Sequence, residues 1–393
     1  NGAYLSMTAN ELVQRLFLYG EWRADMITTG RRTNSSIVSV FNGEISIDNT
    51  YLDWASFYQT INICNTILKF APTAQANDPT FSEAQLKEYE GQAIAIRSLM
   101  YFYLVRTFGD VSFIREAYVN GSQQMSVAKS SEKEILAGLV ADLEMVETGN
   151  YLPGQYSSTD IAQNKGRMTM WAVKALLADI YLWQEEYEKC NRKCDEIIGS
   201  GQLLLVPVES RKIEVENTEE GTTDIYYAPD QSSYYSLFQQ IYYQGNSMES
   251  IFELQFATDN LNPFYSLMSS GRGVIGVKTE RVNSDIFPPL ADEAYSGECF
   301  DIRSVISQSK SCLWKYIGVE PNGSERAQEE YTNNFIIYRL AEIYLMKAEA
   351  LTQMAILDSD NQELLKEAYA AVKVIRDRST AVATTDIGQT EGS

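Results

Sequence analysis

Apolar side chains recur at three- and four-residue intervals through most of residues 1–200 and again through 335–378, the pattern of helices that pack on one another. One stretch is more extreme. In EGQAIAIRSLMYFYLVRTFGDV (90–111), Ile94, Ile96, Leu99, Met100, Phe102, Leu104 and Val105 point all round the helical wheel, which predicts burial by neighbours on every side. Gly109 predicts a left-handed stop after the last turn. Partner helices are predicted over 12–27, over 54–68 (ending before Pro72), from the capping box Ser131-x-x-Glu134, across 166–201, and over 335–354 and 363–378.

Two of these segments carry the large, small and aromatic spacing of tetratricopeptide helix pairs. In the first, Leu177, Ala178, Tyr181, Tyr187 and Cys190 fall on the expected offsets; in the second, Leu340, Ala341 and Tyr344 repeat the first helix and residues 368–375 supply the second. The predicted fold is therefore mainly α, a stack of antiparallel helix pairs sharing a core. Arg97 and Arg106 then read as anchors, with apolar stems buried and guanidinium groups paired to carboxylates. Glu342 and Glu349 share a stripe with Arg339 and read as ion-pair partners. Cys190 sits at a small packing position, so Cys190-x3-Cys194 reads as core rather than as half of a metal site.

Residues 201–334 differ in kind. They are rich in Tyr, Asn, Ser, Gly and Pro and read as long loops on the helical scaffold, the usual carriers of function. SIFELQF (250–256) alternates Phe252, Leu254 and Phe256 and reads as a strand. Of the 25 tyrosines, six lie in DIYYAPDQSSYYSLFQQIYYQG (224–245), where Pro229, the serines and the doubled Tyr-Tyr pairs break the helical period. Some of those rings must face outward. Exposed Tyr offers a flat apolar face and a hydroxyl, which suits sugar rings and peptides.

Charge and composition narrow the chemistry. With 32 basic and 53 acidic residues the formal charge is −21, which argues against nucleic acid and anionic lipid as partners. There is no histidine, which removes Ser-His, Cys-His and imidazole–metal chemistry together. The five cysteines, at 64, 190, 194, 299 and 312, form no disulfide framework. GRGVIG (271–276) matches G-x-G-x-x-G, but no apolar strand precedes it and Pro288-Pro289 follows where a helix should begin, so it reads as a loop. No apolar run is long enough to span a membrane.

IRSLMYFYLVRTFGDV (96–111), with Ser112 where a proline is expected, resembles the Arg-Ala-aromatic helix and Phe-Gly-Asp-Val-Pro ending of the SusD/RagB family. NICNTIL (62–68), ADLEMV and YLP (141–153), GRMTMWAVKALLADIYLW (166–183), SIFELQF and YRLAEIYLMKAEAL (338–351) resemble further blocks of that family, in its order, from about Tyr4 to Arg378. The resemblance implies a single SusD-like unit over 1–393, incomplete at both ends. Its scaffold would be 1–200 and 335–378, and its ligand-binding region 201–334. It implies a non-enzymatic lipoprotein, lipid-anchored on the cell surface at the outer membrane, that captures oligosaccharide for a SusC-like TonB-dependent transporter. No cofactor or metal is implied. A peptide ligand, as in RagB-like members, or a helical-repeat adaptor is the alternative. Binding residues in such proteins come from variable loops, here 28–53 and 220–330. The candidate residues are Arg32, Asn34, Phe41, Tyr234, Tyr235, Tyr242, Tyr243 and Trp314.

Overall fold

The computed structural model describes residues 1–21, 26–121, 123, 126–217, 221–229, 236–269, 272–278, 286–287, 301–303, 308–309, 312–318, 320 and 324–381. The fold is mainly helical and tetratricopeptide-like, as the spacing predicts. It opens with α1 (Gly2–Met7), α2 (Asn10–Tyr19), the short strand β1 (Ile27–Thr29) and α3 (Ser35–Asn42). Then come α4 (Ala55–Asn77), α5 (Glu83–Phe108), α6 (Glu132–Thr148), α7 (Ile161–Lys165), α8 (Met170–Trp183) and α9 (Tyr187–Ile198). Short elements follow: β2 (Ser210–Asn217), β3 (Thr222–Pro229), β4 (Ser250–Leu254), α10 (Phe264–Met268), β5 (Ile275–Val277), β6 (Gln308–Ser309), β7 (Cys312–Leu313) and α11 (Trp314–Ile317). The described chain closes with β8 (Phe335–Arg339), α12 (Leu340–Leu357) and α13 (Gln362–Arg378).

The long helices pack in one continuous row: α4 on α5, α5 on α6, α6 on α8, α8 on α9, α9 on α12, and α12 on α13. Helices α9 and α12 are direct neighbours although more than a hundred residues separate them in sequence, so everything between them is inserted into the row. Helix α5 is buried on all sides through its second half, as its wheel requires, and starts at a full capping box between Ser82 and Gln85. Arg97 acts as the anchor its position predicts. It donates to Asn65 of α4 at 2.9 Å and to Asp142 of α6 at 2.8 Å, and Arg115 binds the other Asp142 oxygen at 2.6 Å. Three elements are thereby tied through one buried carboxylate. Cys190 and Cys194 are fully buried, the Cys190 thiol lying 4.0 Å from the Met346 carbonyl of α12, so both fill small packing positions.

Four boundaries depart from the sequence expectation. The helix predicted over 12–27 ends at Tyr19, where Gly20 leaves helical geometry, and Ile27 belongs to a strand. The helix predicted to end before Pro72 runs on to Asn77. Pro72 removes the donor for the Leu68 carbonyl, but this half of α4 faces solvent, where water can accept the loss. Residues 335–339 form β8 rather than the start of a helix. Their β-branched and aromatic side chains favour the extended pairing with β4, and both faces of β4 are buried, Glu253 included.

The fourth departure is the hairpin of β2 and β3, paired over eight residues each in a region read as loops. The alternation in RKIEVEN was its signal. The glycine-rich segment also finds a role over 272–276. Strand β5 pairs with β1, and a Cβ on Gly30 would lie 2.1 Å from the Gly273 carbonyl oxygen. Glycine serves a close backbone crossing here.

Candidate functional site

A cleft of about 640 Å³ opens where α2, α5, α8, β8 and the start of α12 meet the inserted region. Its walls carry seven aromatic residues, Tyr19, Tyr103, Trp183, Tyr242, Tyr316, Phe335 and Tyr338, interleaved with Glu21, Arg106, Asp179, Lys315, Arg339 and Glu342. The helical row and β8 together form two facing walls for a simple reason. Strand β8 turns directly into α12, so Tyr338, Arg339 and Glu342 arrive on one wall, while the ends of α5 and α8 bring Arg106, Asp179 and Trp183 to the other.

Most of the charges are matched. Arg106 donates to Asp179 at 3.1 Å and its guanidinium lies over the Phe102 and Trp183 rings at 5.0 and 5.3 Å. Asp179 also accepts from the Tyr338 hydroxyl at 2.7 Å. Burial raises the Asp179 pKa, and Arg106 and Tyr338 only partly offset it. Glu21 accepts from Lys315 at 3.1 Å and from the Tyr316 hydroxyl. Arg339 does not pair with Glu342 or Glu349, as the helical stripe predicted. Its position ends a strand rather than lying in a helix, and it reaches Glu249 at 3.0 Å, a fully buried carboxylate that Arg378 binds from the other side at 3.1 Å. Glu342 is left without a hydrogen-bond or ion-pair partner among the described residues. Burial, then Asp179 and Glu21, push its carboxyl up to about 8, against the opposing pull of Arg339 and Arg106.

The candidate residues that the structure describes are not brought together. Tyr242, in the π-helical turn Gln239–Tyr243, lines the cleft, with the Arg339 guanidinium 5.8 Å from its ring centre. Tyr243 points elsewhere, stacked against Arg326 and hydrogen-bonded to Glu320. Asn34 caps α3, its side-chain oxygen accepting from the Ile37 amide at 2.8 Å, and Phe41 sits on α3 under the Lys278 ammonium. Arg32 is exposed, its backbone held by Gly273. None of these three lines the cleft. Trp314 opens α11, whose Lys315 and Tyr316 reach the cleft; its own side chain, with Tyr234 and Tyr235, lies outside the described residues. Sequence reasoning missed Tyr19, Tyr103, Trp183 and Tyr338, because each sits on a helix or strand with a period that reads as core.

Comparisons with known proteins agree with this architecture. Residues 9–182 match the family profile described as starch-binding, associating with the outer membrane, and residues 307–391 match that of the SusD family. SusD-like protein P2 of Formosa agariphila is 24% identical over 96% of this chain and 73% of its own length. SusD-like protein P38 of the same organism is 21% identical over 86% of this chain and 66% of its own. The chain thus spans about two thirds to three quarters of these relatives. Among solved structures, a SusD superfamily protein from Bacteroides fragilis superposes with a TM-score of 0.70 at 18% identity, over 99% of this chain and 80% of that one. Surface glycan-binding protein A from Bacteroides thetaiotaomicron, in complex with laminarihexaose, superposes at 0.67 and 20% identity, over 97% and 82%. With the profiles matching both ends of the helical row and the fold shared throughout, the chain belongs to the SusD/RagB family.

Proposed function

We propose that this protein captures oligosaccharide at the cell surface and passes it to a SusC-like, TonB-dependent outer-membrane transporter, with the intact gene product held at the membrane by a lipid. It binds and does not catalyse. The observation that carries the reading is a cleft lined by seven aromatic residues in a chain whose fold is shared with a surface glycan-binding protein. Ring faces stack on the apolar faces of sugars, and the interleaved charged groups hydrogen-bond hydroxyls around the rim of each sugar. Trp183 and Tyr242 are the leading contacts. The first is half exposed, with its indole N–H held by Glu132 at 2.7 Å, and the second arrives from the inserted region.

Titration calorimetry with a panel of oligosaccharides, laminarihexaose among them, tests the binding. Replacing Trp183 or Tyr242 with Ala should weaken the bound member by about 1–3 kcal/mol without lowering the melting temperature by more than a few degrees. Unchanged affinity in both variants refutes the cleft as the site. Protease shaving of whole cells tests the location: protection of the intact protein from added protease ends the surface reading.

A further inference from the structure

Resting on the oligosaccharide reading of the cleft, we infer that its preferred ligand carries a protonated amine, with Glu342 as the counterion and the surrounding tyrosine rings as the walls of a cation-binding cage. Three observations lead there. First, every other charged group on the cleft wall has a partner: Arg106 with Asp179, Lys315 with Glu21, and Arg339 with Glu249. Glu342 alone among the described lining charges has none. A half-buried carboxyl without a partner is a group waiting for one, because its desolvation is uncompensated.

Second, the groups facing Glu342 set the sign of the field. Asp179 and Glu21 raise its proton affinity and stand ahead of Arg339 and Arg106, which lower it; the phenols of Tyr103 and Tyr338 also feel its charge, and Lys315, Tyr242 and Tyr316 line the same cleft. Carboxylates thus stand ahead of guanidiniums around Glu342, a setting that favours an ammonium over a carboxylate or sulfate. Third, the cavity is walled by aromatic rings, whose faces attract a cation electrostatically and more strongly once it leaves water. An ammonium offers three donors to Glu342 and its neighbours, while the sugar that bears it keeps apolar faces for stacking. Amine-bearing glycans are thus distinguished from their N-acetylated counterparts, which present the same ring without charge.

The proton balance makes this measurable. Near pH 6.5 the empty cleft holds Glu342 as the neutral acid, so an ammonium ligand must displace its proton to solvent on binding. We would titrate the protein with a fully deacetylated glucosamine oligosaccharide, its N-acetylated counterpart and laminarihexaose, each in two buffers of different ionisation enthalpy. The amine ligand should bind about tenfold or more tightly than the acetylated one and release about one proton per site, a release absent with the neutral glycans. Glu342→Gln should abolish both the preference and the proton release. Equal affinity for the amine and acetylated glycans in the wild type overturns the inference, whether or not the variant folds, and leaves the glycan reading standing. So does proton release that persists in the variant. If none of the three ligands binds, the glycan reading falls as well.

Discussion

The Arg326 guanidinium lies 3.8 Å from the centre of the Tyr243 ring and donates to the Tyr243 carbonyl at 2.8 Å. Gly318 closes the other side, where a Cβ would come within 2.9 Å of the guanidinium carbon. The arginine is clamped between a ring and bare backbone, and the Tyr243 hydroxyl is taken up by Glu320. The ring and hydroxyl of this tyrosine are thus both engaged within the fold.

Tyr243→Ala should therefore cost about 1–3 kcal/mol of stability by freeing a buried cation, with glycan affinity changed only as the protein unfolds. Tyr242→Ala should do the reverse. Thermal melts and calorimetric titrations on the two adjacent variants separate them, and a Tyr243 variant that melts normally but loses affinity overturns this division.

The Arg97–Asp142 pair should respond to substitution asymmetrically. Asp142→Ala strands Arg97 in the core and is expected to cost about 3–5 kcal/mol, whereas replacing both residues with apolar side chains of similar volume should cost much less. Urea denaturation curves of the single and double variants are the check. A double variant as unstable as the single one would mean that Asn65 and Arg115 matter more than the pair.

Gly30→Ala places a methyl group where the Gly273 carbonyl stands, and both atoms are backbone-fixed. The β1–β5 pairing must separate, at about 1–3 kcal/mol. Faster amide exchange confined to residues 27–32 and 273–278 is the expected signature, and exchange as slow as in the wild type would disprove the crossing.

Glu342 makes stability depend on pH. Its folded carboxyl is pushed up to about 8, well above its unfolded value, so the native state binds more protons than the unfolded chain between those limits. Stability must fall as pH rises from the ordinary carboxyl range towards 8. Glu342→Gln should be more stable than the wild type at pH 8, with the difference vanishing near pH 5. Parallel melting curves at all pH values would show that the carboxyl titrates normally.

Much of the scaffold was legible because its signals are local. The all-round burial of α5, the anchor role of Arg97 and the small-residue positions of Cys190 and Cys194 follow from helical spacing, and the strand at 250–254 follows from alternation. Among the described residues, the candidate site was legible only at Tyr242. Its remaining rings lie on α2, α5, α8, α11 and β8, and in each element taken alone an inward aromatic looks like core. Asn34, chosen as a loop residue, proves to be a helix cap, a role its position before an apolar helix could have announced.

What the sequence determined by itself is the identity and order of the helices, since side-chain period and caps act within a few residues. What only the tertiary structure decided is where charges and rings converge. Arg339 and Glu342 are three residues apart, and the sequence pairs them; the turn from β8 into α12 separates them, sends the arginine to the buried Glu249 and leaves the glutamate in the cleft without a partner. Electrostatic partners are chosen by distance in space and by desolvation, and neither is written into neighbouring positions of a chain.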